Sequence, residues 1–159
     1  FGSGNIAAHM QPNGTLFVGG TDRGWGARGG RRFALDRVTW TGKVPFEIHE
    51  MRAKPDGFEL TFTHEIDAIT AADPASYSMS AYTYIYRSDY GSPVVDKVTP
   101  MIVGVEVTGP KTVRVTVDKL IHGHIHELHA KGVRSAKGLP ILHPVGYYTL
   151  NEIPPGELN

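Results

Sequence analysis

The 159-residue chain contains no cysteine. That absence excludes disulfides, thiol nucleophiles, thiolate zinc sites, cysteine-ligated iron–sulfur clusters and covalent c-type haem attachment through Cys-x-x-Cys-His. Net charge is missing too: 16 Lys and Arg balance 16 Asp and Glu, so no basic field exists to hold nucleic acid or an anionic membrane surface. Long apolar runs are absent. The longest candidate, Met101 to Val107, is interrupted by Gly104 and Glu106 and falls far short of the roughly 20 apolar residues that span a bilayer. The sequence is therefore expected to carry no transmembrane segment. It opens on Phe1 rather than methionine, as a mature or trimmed exported chain would.

The signatures of common enzymes are lacking as well. No Gly-x-Ser-x-Gly, His-Glu-x-x-His or P-loop pattern occurs. Gly24-Trp25-Gly26-Ala27-Arg28-Gly29 matches the spacing of the dinucleotide fingerprint, but no helix follows to offer its N-terminus to a pyrophosphate. No catalytic residue and no nucleotide cofactor are expected. An apolar stripe of helical period is also missing; the one helical signal is a single capped turn at Thr70 to Ser76.

What is present is the punctuation of a β protein, with 19 Gly and 11 Pro spread along the chain. Residues 1–43 form a glycine-dense extension with strand candidates at Thr15 to Gly19 and Asp36 to Trp40. Asn13-Gly14 is the turn that feeds the first of them. Residues 44–153 read as about seven short strands, and 154–159 as a tail. Phe58, Leu60 and Phe62 alternate with Glu59, Thr61 and Thr63, and Val113, Val115 and Val117 alternate with Arg114 and Thr116. That period of two puts one face of each strand in a core and the other in water. Met101 to Thr108 is the partner of the valine strand through the turn Gly109-Pro110-Lys111. The fold class that follows is all-β: an immunoglobulin-like antiparallel β-sandwich with an N-terminal glycine-rich hairpin extension. In such sandwiches a Leu-x-x-Gly-x-x-Tyr corner enters a late strand, its tyrosine bonding to upstream backbone. Here Leu120, Gly123 and then His126 hold those places, so His126 is expected to make the backbone bond through a ring nitrogen.

Three groups of residues are candidates for function. His122, His124, His126 and His129 form the densest set of ligands among eight histidines. Residues two apart share a face of a strand, so His124 and His126 are candidate ligands for copper or zinc, with a third from His143, His64 or Glu127. His129 falls on the opposite face. Arg23, Trp25, Arg28, Arg31 and Arg32 crowd one loop in the residue types that dominate protein-binding hot spots. Tyr82, Tyr84 and Tyr86, with Tyr90 in the polar loop Arg87 to Lys97, suit cross-strand pairing, a partner surface or a sugar-stacking platform.

The run Asn13-Gly-Thr-Leu-Phe-Val-Gly-Gly, then Asp22-Arg-Gly-Trp-Gly-Ala-Arg-Gly-Gly, then Trp40-Thr-Gly-Lys-Val-Pro-Phe-Glu-Ile resembles the C-terminal end of exported bacterial proteins related to glucose and sorbosone dehydrogenases. Those carry a β-propeller, often fused to a c-type cytochrome domain. The stretch His126 to Pro154, with His143-Pro-Val-Gly-Tyr-Tyr-Thr-Leu-Asn151 inside it, is similar to their closing signature, and the middle of the chain is similar to bacterial Ig-like domains. The resemblance implies a periplasmic or otherwise extracytoplasmic module, non-catalytic, that packs on a larger redox or membrane electron-transfer assembly. A c-type cytochrome is the implied partner. It transfers no catalytic residue, since the family's sugar and haem chemistry lies outside these segments. A histidine-based copper or zinc module, a carbohydrate-binding module and a fragment of a sugar dehydrogenase are the alternatives.

Overall fold

The computed structural model describes residues 1–22 and 28–156. The chain divides into two compact units, Phe1–Lys43 and Val44–Asn159. All of its sheets are antiparallel, and the two sheets of the second unit pack as a β-sandwich, so the all-β sandwich expected from the sequence is what forms.

The first unit is a sheet of three strands, β1 (Asn5–Met10), β2 (Leu16–Thr21) and β3 (Phe33–Val38), in the order β1-β2-β3. The turn into β2 forms as the sequence dictates. Gly14 takes a φ of +81°, its N–H donates to the Gln11 carbonyl at 2.9 Å, and the Thr15 N–H donates to Asn13 Oδ1 at 3.0 Å. The expected two-stranded hairpin is thus a three-stranded meander. The added strand, Asn-Ile-Ala-Ala-His-Met, has no alternation and every residue exposed, so burial leaves no period in its sequence to find. Among the described residues of this unit, only Ser3 and Val18 are buried.

The second unit holds β4 (Ile48–Lys54), β5 (Gly57–Phe62), β6 (Ser78–Tyr84), β7 (Val94–Val98), β8 (Ile102–Gly109), β9 (Thr112–Val117), β10 (Ile125–His129) and β11 (Val145–Thr149). They form two four-stranded sheets, β4-β5-β9-β8 and β11-β10-β6-β7. Phe58, Leu60 and Phe62 of β5 and Val113, Val115 and Val117 of β9 are all buried, as their alternation requires. They meet Met79 of β6 and Leu128 of β10 in one core. The ring of Phe58 lies 5.3 Å from that of His126 and 5.6 Å from that of Tyr148, joining the two sheets by tilted aromatic contacts. Gly57 opens β5 where a Cβ would overlap the Val115 carbonyl, so this crossing tolerates no side chain.

Between β5 and β6 runs a five-residue helix, α1 (Ala68–Ala72), followed by a single 3-10 turn, Pro74–Ser76. Asp67 caps the helix, its Oδ1 accepting the Thr70 N–H at 2.8 Å, and Asp73 caps the 3-10 turn in the same way from Ala75 at 2.9 Å. The Thr70 N–H holds the Asp67 carboxyl below the usual carboxylate range. Tyr77 closes the segment by donating to the Ala71 carbonyl at 2.7 Å, and burial pushes its hydroxyl pKa well up.

The segment Arg87 to Lys97 is not wholly the loop that its polarity suggests. Its second half is the edge strand β7, which pairs with β6 across a register shift. Asp96 at this irregularity has a φ of +52°. A bulge breaks the period of two, which is why Val94-Val-Asp-Lys-Val98 does not announce a strand. Replacing Phe58 by Ala should cost about 3–5 kcal/mol, read as a lowered urea midpoint with unchanged slope. A loss under about 1 kcal/mol would contradict the central place given to this ring.

Candidate functional site

The histidine cluster is dispersed by the fold. Gly123 has a φ of +75°, its N–H donates to the Leu150 carbonyl at 2.7 Å, and the Leu150 N–H donates to the His124 carbonyl at 2.9 Å. This turn delivers His126 into the core, where it is fully buried. Its Nε2 accepts the Ile121 N–H at 3.3 Å, the backbone bond that its place in the Leu-x-x-Gly-x-x corner leads one to expect. A neutral ring that accepts at Nε2 carries its proton on Nδ1. Burial is the main cause holding its pKa below the ordinary imidazole value, with the His124 backbone acting in the opposite direction.

His124 lies outside that pocket with Nδ1 at 3.2 Å from the His122 carbonyl. His143 is engaged elsewhere: its Nδ1 sits 2.6 Å from Glu47 Oε1, and its N–H donates to Glu47 Oε2 at 2.9 Å. That pairing ties the long β10–β11 connection to the segment before β4. Among the described residues no three His, Asp or Glu side chains form a group able to hold a metal ion. The sequence spacing put His124 and His126 on one face and also gave His126 the corner's backbone bond; the structure shows Nε2 of His126 making that bond.

A second cluster, which joins the tyrosines that the sequence singled out to Glu127 and His129, lies on the outer face of the sheet β11-β10-β6-β7. Glu127 Oε2 accepts the Tyr82 hydroxyl at 3.2 Å, and Glu127 Oε1 lies 2.8 Å from His129 Nε2. Tyr82 in turn meets Tyr84 edge to face at 5.8 Å. Partial burial and the Glu127 bond push the Tyr82 pKa up to about 12. The tyrosine alternation was visible in sequence, but the carboxylate that anchors it arrives from a strand some 45 positions away, a pairing that spacing does not reveal.

The remaining candidates stand at the surface. Tyr86 and Tyr90 are fully exposed in the loop after β6, where the Arg87 guanidinium donates to the Gly91 carbonyl at 2.7 Å. Arg28, Arg31 and Arg32 are exposed in the first unit, with Arg32 Nε 3.6 Å from Asp22 Oδ2. Arg23 and Trp25 lie outside the described residues. A cavity of about 450 Å³ at one end of the sandwich is lined by Val44, His64, Glu65, Lys111, Lys137 and Leu139. Its His64 Nε2 sits 2.8 Å from the Val44 carbonyl, and Lys111 Nζ donates to the Thr63 carbonyl at 3.1 Å. No helix among the described residues is long and apolar enough to cross a membrane.

No family model matches the sequence, and no curated protein matches it. Solved structures of the bacterial S-layer protein SbsC are similar in fold. Its N-terminal part is 19% identical with a TM-score of 0.51 over 68% of this chain and 24% of that one. A structure of its domains 1-6 is 20% identical with a TM-score of 0.51 over 68% of this chain and 14% of that one. The chain thus spans a quarter or less of the SbsC chains that it matches, and at this identity the likeness concerns the fold.

Two outcomes follow for the histidines. Because the folded His126 pKa lies below its unfolded value near 6.5, its contribution to stability is complete above that pH. It is lost as pH falls through that value toward the folded pKa. The wild-type urea midpoint should drop below about pH 6.5, and His126→Asn should be less stable at pH 8 but show a smaller acid-side fall; equal slopes would contradict the assignment. For the metal, a few equivalents of zinc or copper should leave the melting temperature within about 1 °C of the metal-free value. A rise of several degrees would show a site that this geometry does not predict.

Proposed function

We propose that the chain is an extracytoplasmic structural and interaction module, an immunoglobulin-like sandwich that packs on a larger exported assembly. Two features support the immunoglobulin-like reading. In the lettering of such sandwiches, β4-β5-β9-β8 takes the order A-B-E-D and β11-β10-β6-β7 the order G-F-C-C′. His126 also stands where the tyrosine corner has its tyrosine. The likeness to SbsC supports an exported, surface-layer type of setting. The resemblance to dehydrogenase-related exported proteins favours an assembly with redox partners such as a c-type cytochrome.

The observation that carries the interaction reading is the first unit. Phe33 and Leu35, two residues apart on β3, are 79% and 74% exposed. On the same face β2 and β1 present Gly19 opposite Leu35 and Ala7 opposite Gly19. Two large apolar side chains beside a floor of small residues form a patch of the kind that marks protein contact sites. A sheet that buries one large apolar residue of its own gains most of its hydrophobic stabilisation from whatever covers it.

The test is native electrophoresis of solubilised host envelopes carrying either wild type or the Phe33→Asp/Leu35→Asp variant. The wild type should migrate in a haem-staining complex and the variant as a monomer, with the sandwich melting temperature unchanged within about 2 °C. A complex without haem removes the redox partner, and a monomeric wild type removes the interaction reading.

A further inference from the structure

The outer face of the sheet β11-β10-β6-β7 follows from what its strands bury. His126 and Leu128 point into the core, so Ile125, Glu127 and His129 point out; Met79 and Ala81 are buried, so Ser80, Tyr82 and Tyr84 point out. Tyr148 packs on Phe58, so Tyr147 and Thr149 share the outer face, with Tyr147 62% exposed and Tyr84 47%. Register then fixes their positions. Tyr147 is paired with Glu127 and Glu127 with Ser80, while Tyr82 is paired with Ile125 one row along. With strands about 4.8 Å apart and a rise of about 3.3 Å per residue, the backbones of Tyr147 and Tyr82 are roughly 12 Å apart, and those of Tyr147 and Tyr84 roughly 16 Å. A diagonal track crosses three strands, aromatic at both ends with a carboxylate between.

The track is held in place. His129 and the Tyr82 hydroxyl bond the two oxygens of Glu127, and the Tyr82 ring supports Tyr84 edge to face. An ionised carboxylate accepts about four hydrogen bonds, so Glu127 keeps acceptor capacity after these two. It is also the only Asp, Glu, Lys or Arg on β6, β10 and β11. The three strands of the track therefore offer no Lys or Arg to hold an anionic chain, and on the edge strand β7 the exposed Lys97 stands next to the exposed Asp96. β10 and β6 are inner strands whose backbone is committed to ladders on both sides. An extended peptide binds through free edge backbone, which this sheet offers only along β11 and β7; a guest lying across Glu127 and Tyr82 is read by side chains.

We propose that this track, Tyr147, Glu127, Tyr82 and Tyr84, binds a neutral linear oligosaccharide. The C–H faces of successive pyranose rings stack on the exposed rings of Tyr147 and Tyr84. Sugar hydroxyls donate to the free acceptor positions of Glu127, with Ser80 and Thr149 on the same face. Tyrosines on strands, with two side-chain torsions each, lose little freedom on contact. This site belongs to the second unit and uses no residue of β3, so it stands or falls separately from the assembly reading.

The experiment is a two-dimensional amide NMR titration of the full chain with cellohexaose, xylohexaose, mannohexaose and chitohexaose, each to about 10 mM, with tri-lysine as a control. At least one glycan should shift the amides of Ser80, Tyr82, Glu127 and Tyr147 saturably. Tyr147→Ala, Tyr84→Ala and Glu127→Gln should each weaken its binding about tenfold or more without moving the melting temperature, since all three side chains reach the surface. No saturable shift with any glycan, shifts confined to other residues, binding that survives all three substitutions, or a response to tri-lysine alone would each overturn the proposal.

Discussion

The packing of Phe58 against His126 and Tyr148 is the contact on which the rest of the second unit depends. Phe58 comes from an inner strand of one sheet, His126 from an inner strand of the other, and Tyr148 from the edge beside it. Once these rings are seated, the alternation of β5 and β9 puts Leu60, Phe62, Val113 and Val115 in the same layer. Met79 and Leu128 close it from the opposite side. His126 puts a polar ring in this apolar layer, where its Nε2 accepts a backbone N–H that the turn would otherwise leave unpaired. The corner, the core and the outer face are coupled through the period of two: burying His126 is what turns Glu127 outward to Tyr82 and His129.

This coupling separates structural histidines from available ones. His126 is spent on the corner, and His143 on Glu47 in holding the β10–β11 connection. His129 orients a carboxylate. His126, His129 and His143 thus have separate local duties, each with its own hydrogen-bond partner.

Much of the sandwich was legible in the sequence, because burial on one side of a strand writes itself as alternation. Phe58-x-Leu-x-Phe62 and Val113-x-Val-x-Val117 could be assigned to the core directly, and Leu120, Gly123 and His126 exposed the corner through the spacing of a known turn. Two of the strands that the sequence does not mark individually, β1 and β7, are hidden for opposite reasons. β1 buries nothing, so its sequence has no period, and β7 carries an irregularity at Asp96 that interrupts one. The candidate sites were less legible. Tyr82 and Tyr84 announced an aromatic face, but the pairing of Tyr147, Glu127 and Ser80 in one row depends on the register of three strands distant in sequence. No local pattern carries that information.

The two units differ sharply in how they are stabilised. The sandwich has a complete core, whereas the N-terminal sheet leaves Ile6, Met10, Phe33, Leu35 and Trp40 at its surface. We propose that a sheet of that composition packs against another protein surface, and this proposal is central here. Hydrogen–deuterium exchange on the isolated chain and on the chain in the proposed assembly, captured from its host, tests it most directly. The account predicts that amides of β1 to β3 exchange orders of magnitude faster than those of β5, β9 and β10 in isolation, and that they gain protection in the assembly. Protection of β1 to β3 equal to that of the sandwich in the isolated chain, or no gain on assembly, would contradict it.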